Sequence, residues 1–135
     1  MRRLAAIALA AASLAAVPAA GAAPAVAVAF GRTGGNIIPF TVTIAGDGSV
    51  HAVGPVKAGL TRLSAVQLAS LRKLAASIRF ATLPAQTNCP RTLPDIASTF
   101  VQVGARTVRV HGTCVPRYTK LWAAVSAAVK LSYSY

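Results

Sequence analysis

The sequence predicts a small α+β protein in which two amphipathic helices cover one face of an antiparallel sheet of about five strands. Three observations lead to this fold class. Short segments of alternating apolar residues flank turns that are typical of β-hairpins. Two longer segments repeat apolar residues at helical spacing. The elements follow in the order β-β-β-α-β-β-α, and a hairpin sheet that buries one face needs the cover that the helices supply.

The first 23 residues have the three parts of a secretory signal peptide. A basic start precedes an apolar run over residues 4–16, and Ala20-Gly21-Ala22 fits a cleavage site. The apolar run is shorter than the roughly 20 residues that a membrane-spanning helix needs. We therefore expect cleavage at Ala22 or Ala23, one domain over residues 24–135, secretion, and no stable membrane insertion of the mature protein.

The segment after the signal peptide predicts three strands, and a loop is expected after the third. Gly31 to Asn36 separate the first two strands, Gly46-Asp47-Gly48 is a turn, residues 49–53 form the third strand, and residues 54–61 are expected to be a loop. The residues of the first two strands that we expect to face the core are Val26, Val28, Phe30, Ile38, Phe40, Val42 and Ile44.

The first helix begins at a capping box, in which Ser64 and Gln67 are three residues apart. We expect it to end near Phe80. Its apolar stripe consists of Leu68, Leu71, Leu74, Ala75 and Ile78. The segment that follows, residues 81–97, contains three prolines and is expected to be irregular.

A second hairpin and a second helix complete the fold. Gly104-Ala105 predicts a two-residue hairpin turn, with Val101, Val103, Val108 and Val110 facing the core. Pro116 is accepted in the first turn of a helix, which we expect to run to about Lys130 before residues 131–135 fray. The stripe of this helix consists of Tyr118, Leu121, Trp122, Val125 and Val129.

Cys89 and Cys114 are the only cysteines. In an oxidising compartment an even number of cysteines indicates disulfide bonds, so we expect a bridge that pins residues 81–97 to the second hairpin. Two alternatives stay open from the residues alone. One is a Cys114 nucleophile with His111 as its base. The other is a zinc site of both cysteines with His51 and His111, although no C-x-x-C or H-x-x-x-H spacing is present.

The composition excludes several classes of function. The chain has 135 residues, 14 of them lysine or arginine, and a formal net charge of +12. Asp47 and Asp95 are its only acidic residues. Glycosidases need two facing carboxylates, calcium and magnesium sites need several oxygen ligands, and HExxH proteases need a glutamate. We therefore expect a protein that is not an enzyme, with no cofactor and no metal.

The basic residues are spread along the chain, and no run is longer than two. No basic recognition helix and no aromatic RNA-binding motif is present in the sequence, so we expect no nucleic-acid partner. A positive charge of this kind is typical of a protein whose surface charge keeps it soluble, or of a protein that binds an anionic cell envelope.

Several short motifs resemble the protealysin-inhibitor (emfourin-like) family, over about residues 26–130. They are Arg32-Thr33-Gly34-Gly35, the Asp-Gly turn, Leu-Ser-x-x-Gln-Leu at 63–68, Arg-Phe-x-x-Leu-Pro at 79–84, and Pro94-Asp95. In that family the glycine pair usually precedes an apolar residue and another glycine, whereas here Asn36 and Ile37-Ile38-Pro39 follow. The resemblance implies a secreted inhibitor of thermolysin-like zinc metalloproteases that binds without catalysis.

If the chain is such an inhibitor, its protease-contact surface is expected to include the turn from Arg32 to Ile37. Gly34 and Gly35 allow the backbone to approach a partner closely. Arg32 offers a planar donor fork to carboxylates of the partner, and Asn36 can bond to backbone in an extended cleft. Two alternatives remain: the glycines serve only the hairpin, or the protein is a secreted or envelope-associated structural or interaction domain with no protease target.

Overall fold

The structure, a computed structural model, describes residues 25–134; the expected signal peptide over residues 1–23 lies outside the described residues. The fold is α+β, with a mixed six-stranded sheet, a two-stranded sheet and two helices. The elements are β1 (Val26–Thr33), β2 (Phe40–Ala45), β3 (Val50–Val53), β4 (Val56–Ala58), α1 (Ala65–Ser77), β5 (Gln86–Asn88), β6 (Ser98–Val103), β7 (Arg106–His111), α2 (Pro116–Ala128) and β8 (Leu131–Tyr133).

The large sheet has the strand order β3-β2-β1-β6-β7-β5, so β1 lies at its centre. Phe30 of β1 is opposite Val42 on one side and Val101 on the other, and all three are fully buried. Alternate residues of these strands therefore point into the same core as the apolar stripes of the helices. The core side chains with almost no exposure include Phe30, Ile44, Leu63, Leu83, Leu121, Val125 and Val129.

The capping box at the start of α1 is confirmed. Ser64 Oγ accepts from the backbone N–H of Gln67, and Gln67 Oε1 accepts from the N–H of Ser64. The helix ends at Ser77, before the expected Phe80, because Arg79 adopts the left-handed conformation with φ 57° and residues 80–82 form a 3-10 turn. No helix among residues 25–134 is long and apolar enough to cross a lipid bilayer.

Three expectations about the strands are wrong. Residues 81–97 contain β5, which is parallel to β7, so the sheet is mixed and has six strands instead of five antiparallel ones. The expected loop over residues 54–61 contains β4, and the expected frayed end contains β8, with which β4 pairs. Each of these strands has three residues, so its sequence shows no alternation, and its partner is distant along the chain.

Two expected core positions are also wrong. Ile38 is 71% exposed, because Pro39 follows it and β2 begins only at Phe40. Val26 is exposed as well, because the pairing of β1 with β2 shifts between Val26 and Val28. In addition, α2 ends at Ala128, two residues before the expected end.

Candidate functional site

The expected contact turn lies where β1 ends. Arg32 belongs to β1, and Gly34 and Gly35 begin the loop to β2 with φ angles of 74° and 61°. A Cβ on Gly35 would lie 2.4 Å from the carbonyl oxygen of Asp95, whereas a Cβ on Gly34 would have no neighbour within 4 Å. Gly35 is therefore needed for close contact with a second loop, and Gly34 is not.

That second loop connects β5 to β6 and spans residues 89–97. The backbone N–H of Asn36 donates to the carbonyl oxygen of Asp95 at 3.1 Å, so one hydrogen bond joins the two loops. Sequence reasoning assigned no contact residue to this loop. The available indication was that Leu93 and Ile96, two large apolar residues, stand in a segment without helix or strand periodicity.

A disulfide bond and a histidine hold the second loop in place. The predicted Cys89–Cys114 bridge is confirmed, with the two Cα atoms 5.6 Å apart. The N–H of Cys89 donates to the carbonyl oxygen of His111, and His111 Nε2 donates to that of Ile96, both at 2.8 Å. Because both sulfurs are in the bridge, Cys114 is not a free nucleophile. Within residues 25–134, no cluster of three or more histidine, cysteine or acidic residues could hold a metal.

The two loops together present an exposed apolar surface, which we call the two-loop ridge: Ile37 and Ile38 from the first loop, Leu93 and Ile96 from the second. Ile38 is 71% exposed and Leu93 62% exposed. Ile37 lines one surface cavity with Ile38 and another with Ile96, and the N–H of Ile96 donates to the carbonyl oxygen of Leu93. Neighbouring exposed apolar residues of this kind are typical of a protein-binding surface, whereas single scattered ones are the usual case. The ridge is thus the strongest candidate for an interface.

Arg32 is stacked on aromatic rings beside the ridge. Its guanidinium carbon lies 5.9 Å from the ring centroid of Trp122 and 5.4 Å from that of Tyr133. Trp122 in turn contacts Phe30 edge to face, at 5.3 Å between centroids. The guanidinium forms no hydrogen bond with any of the residues that the structure describes. The donor fork is therefore held in position with its N–H groups available to a partner.

Two open cavities flank this arginine. The first has a volume of about 400 Å³ and is bounded by the first loop, Phe40, Pro55 and the β8 end at Tyr133 and Ser134. The second has a volume of about 350 Å³ and is bounded by Asp95, Ile96, Ala97, Thr99, Gly112 and Thr113. Arg32 and Ile37 line both cavities, so they form the wall between them.

Thr99, which lines the second cavity, accepts a hydrogen bond from a neutral phenol. Tyr118 of α2 is buried, and its hydroxyl donates to Thr99 Oγ1 at 2.8 Å. Burial raises the pKa of Tyr118 to about 12. The phenol is therefore a neutral donor at physiological pH, and it ties α2 to the strand that carries the end of the second loop.

The structure thus places Arg32, Gly34, Gly35, Asn36 and Ile37 together at one end of the sheet and adds the second loop to them. Their role in contacting a protease stays a prediction. Comparison of the chain with models of protein families, with curated proteins and with solved structures finds no match.

Proposed function

We propose that the protein is a secreted, emfourin-like inhibitor of thermolysin-like zinc metalloproteases that blocks its target by binding. The proposal rests on the family resemblance of the sequence motifs, and one structural observation supports it. The two loops that form the ridge are joined to each other by the Asn36–Asp95 hydrogen bond and to the body of the protein by the disulfide bond.

Such a surface suits an inhibitor because binding loses less conformational entropy when the contacting loops are already ordered. A flexible loop loses conformational freedom on binding, which reduces the affinity, whereas a preorganised loop has lost it already during folding. The apolar side chains of the ridge would fill subsites of the cleft, and the stacked Arg32 would pair with a carboxylate at its rim. No catalytic group of the inhibitor is needed for this action.

The decisive experiment is an inhibition assay against a panel of thermolysin-like proteases, with Ile38→Asp as the site variant. A charge at this exposed position should leave folding intact but weaken inhibition at least tenfold, about 1.4 kcal/mol, because a carboxylate would enter an apolar contact. Val66→Asp is the matched control, since Val66 is 76% exposed and lies on α1 outside the ridge.

Equal inhibition by the parent and by Ile38→Asp would place the contact surface elsewhere. No inhibition of any protease by the parent would reject the proposed function. Arg32→Ala is a less specific probe than Ile38→Asp, because it also removes the stacking on Trp122 and Tyr133 and so changes the packing of the site.

A second candidate function is an envelope-associated interaction domain, and the charge of the helical layer favours it. Neither helix contains an acidic residue. The exposed side chains of the two helices include Arg72, Lys73, Arg117 and Lys120. Arg62–Asp47 is the only ion pair in the described part of the chain, at 3.9 Å. Cations without acidic neighbours attract an anionic surface.

For this second function we expect the protein to cosediment with vesicles that contain phosphatidylglycerol and not with phosphatidylcholine vesicles. Binding should disappear at about 0.5 M salt, because screening shortens the range of surface charges. Replacing Arg72 and Lys73 with glutamine should reduce it. Binding that depends neither on the salt concentration nor on the charge of the lipids would exclude an electrostatic attachment of this kind.

A further inference from the structure

We propose that the first of the two cavities beside Arg32 binds an organic acid, that is, a carboxylate carried on an aliphatic or aromatic body. The inference goes beyond the proposed inhibitor function and does not depend on it, because occupancy of the cavity is measurable without a protease. It is carried by the composition of the cavity walls, by the way in which Arg32 is held, and by the backbone contacts that fix the walls.

The walls of this cavity are apolar except for one cation and one hydroxyl group. Of its lining residues, Ile37, Ile38, Phe40, Pro55 and Tyr133 are apolar or aromatic, and only Arg32 and Ser134 are polar. No acidic residue of the described chain lines it. The volume of about 400 Å³ is in the range of small-molecule sites, which are mostly apolar with a few polar groups that orient the ligand. The walls therefore suit a ligand with an apolar body and one negatively charged group.

Aromatic rings hold the guanidinium of Arg32 at this cavity. Arg32 comes two residues after Phe30 on β1, so both side chains point to the same face of the sheet, where each contacts Trp122 of α2. The guanidinium carbon lies 5.4 Å from the ring centroid of Tyr133, which in turn lies 5.8 Å from that of Phe40. Tyr133 and Phe40 line the cavity together with Arg32. The cation is thus fixed among the side chains that bound the cavity.

The N–H groups of Arg32 have no acceptor among the residues that the structure describes. A guanidinium has five N–H donors in its plane, and this one belongs to a half-buried side chain. Partial burial has removed some of its water without supplying a replacement, so an acceptor on a ligand would restore the lost hydrogen bonds. Because the rings already restrict the side chain, pairing with a ligand costs little further conformational entropy.

A carboxylate matches this arrangement better than a phosphate. The planar guanidinium can donate two parallel hydrogen bonds to the two oxygens of a carboxylate, and one positive charge balances one negative charge. A phosphate carries up to two charges and is typically bound at a helix N-terminus or by a cluster of arginines. Neither helix contributes a residue to this cavity, and Arg32 is the only cation among the described residues that line it. The site therefore favours a monoanion.

Backbone contacts between distant segments fix the other walls of the cavity. The N–H of Ser134 donates to the carbonyl oxygen of Pro55 at 2.9 Å, and β8 is paired with β4. A Cβ on Gly54 would lie 2.6 Å from the carbonyl oxygen of Pro39, so this glycine lets the turn before β4 pack against the start of β2. The cavity is therefore already formed before a ligand arrives, which lowers the entropic cost of binding.

Octanoate is a suitable probe for this site, because it joins a carboxylate to an apolar body. Octan-1-ol has the same body without the charge, and acetate has the charge without the body. In calorimetry the protein should bind octanoate at least about tenfold more tightly than either, since only octanoate satisfies both the guanidinium and the apolar walls. Trp122 is the only tryptophan of the chain and contacts Arg32, so octanoate should also change the tryptophan fluorescence.

Arg32→Gln removes the charge and the donor fork, so it should weaken octanoate binding at least about tenfold and affect octan-1-ol much less. Arg72→Gln is the matched control, because it removes the same charge from an exposed position on α1 that lines neither cavity. The control should bind octanoate as the parent does.

Ile38→Asp is a second variant that does not depend on the stacking of Arg32. Ile38 lines the first cavity and is 71% exposed, so the change should leave folding intact. A second carboxylate at the cavity would repel the ligand, and octanoate should again bind at least about tenfold more weakly than to the parent. Thermal unfolding of each variant shows whether a loss of binding reflects a loss of folding.

Equal affinity for octanoate and octan-1-ol would overturn the proposal, as would unchanged octanoate binding by folded Arg32→Gln or Ile38→Asp. Absence of octanoate binding to the parent at millimolar concentration would overturn it too. An acetylated dileucine peptide with a free C-terminus, compared with its amide, distinguishes the source of the carboxylate. Tighter binding of the free peptide than of octanoate would support the site and assign it to the end of a peptide chain. The inhibitor function is tested separately by the protease panel.

Discussion

A variant with Cys89→Ala and Cys114→Ala is expected to lose about 3.5 kcal/mol of unfolding free energy, because a bridge across a separation of 25 residues restricts the unfolded chain by that amount. The total stability of a domain is commonly about 5–15 kcal/mol, so this loss is a large fraction. Urea denaturation of parent and variant at one pH measures it directly.

If the protein is the proposed inhibitor, the same variant should also lose inhibition, and for a separate reason. The bridge joins the start of the second loop to the segment before α2, and the remaining loop attachments are single hydrogen bonds. Without the bridge, residues 89–97 should become more mobile, and the backbone amides of Asn36 and of position 89 should then exchange hydrogen faster than in the parent. Parent protein treated with a reductant is the control, because it lacks the bridge but keeps both cysteines. If the variant and the reduced parent both unfolded at the same urea concentration as the oxidised parent, the predicted loss of stability would be wrong.

The second large effect is expected from Gly35→Ala. An alanine in the left-handed region costs roughly 1–2 kcal/mol. At Gly35 its Cβ would also meet the carbonyl oxygen of Asp95 at 2.4 Å and the nitrogen of Ala97 at 2.7 Å. Both neighbours are backbone atoms, so the two loops would have to separate, at a further cost of about 1–3 kcal/mol.

Gly34→Ala is the matched control for this variant, because it has a similar φ and no neighbour within 4 Å of its Cβ. Denaturation curves should therefore show the Gly35 variant less stable than the Gly34 variant by about 2 kcal/mol. The Gly35 variant alone should lose the exchange protection of the Asn36 amide. Equal stability of the two variants would mean that the loops are not in close contact in solution.

The sequence allowed prediction of those features that depend on few, neighbouring residues. The capping box needs only Ser64 and Gln67, and the hairpin turn needs only a residue such as Gly104 that tolerates its φ of 58°. The disulfide bond was predictable for another reason: two cysteines permit a single intramolecular pairing. The capping box and the turn depend on neighbouring residues, and the disulfide bond has only one possible pairing.

The features that the sequence did not reveal depend on contacts between distant segments. Lys57 of β4 and Ser132 of β8 are 75 residues apart and pair only because α2 brings the chain back beside β4. The strand β5 consists of polar residues, Gln86–Asn88, and its parallel pairing with β7 follows from the path of the chain around the core. A strand of three residues is too short to show a hydrophobic pattern, so the sequence indicates neither pairing.

In the candidate site, too, the features that depend on neighbouring residues were predictable and those that depend on distant contacts were not. Two adjacent glycines marked the first loop, whereas the second loop reaches it through the geometry of the whole sheet. The aromatic surroundings of Arg32 also depended on distant pairing, because Tyr133 lies there only as part of β8. Sequence reasoning therefore found one half of the site and could not assemble the other.

The central position of β1 also determines how the protein can be attached to a surface. Its eight residues span about 26 Å, and the backbone leaves the sheet in opposite directions at the two ends. At the start, the carbonyl of Ala25 is bonded to the N–H of Gly46, whereas the other end opens into the ridge. Coupling a sensor chip, a bead or a fluorophore ahead of residue 25 should therefore hold the protein by its far end and present the ridge to solution.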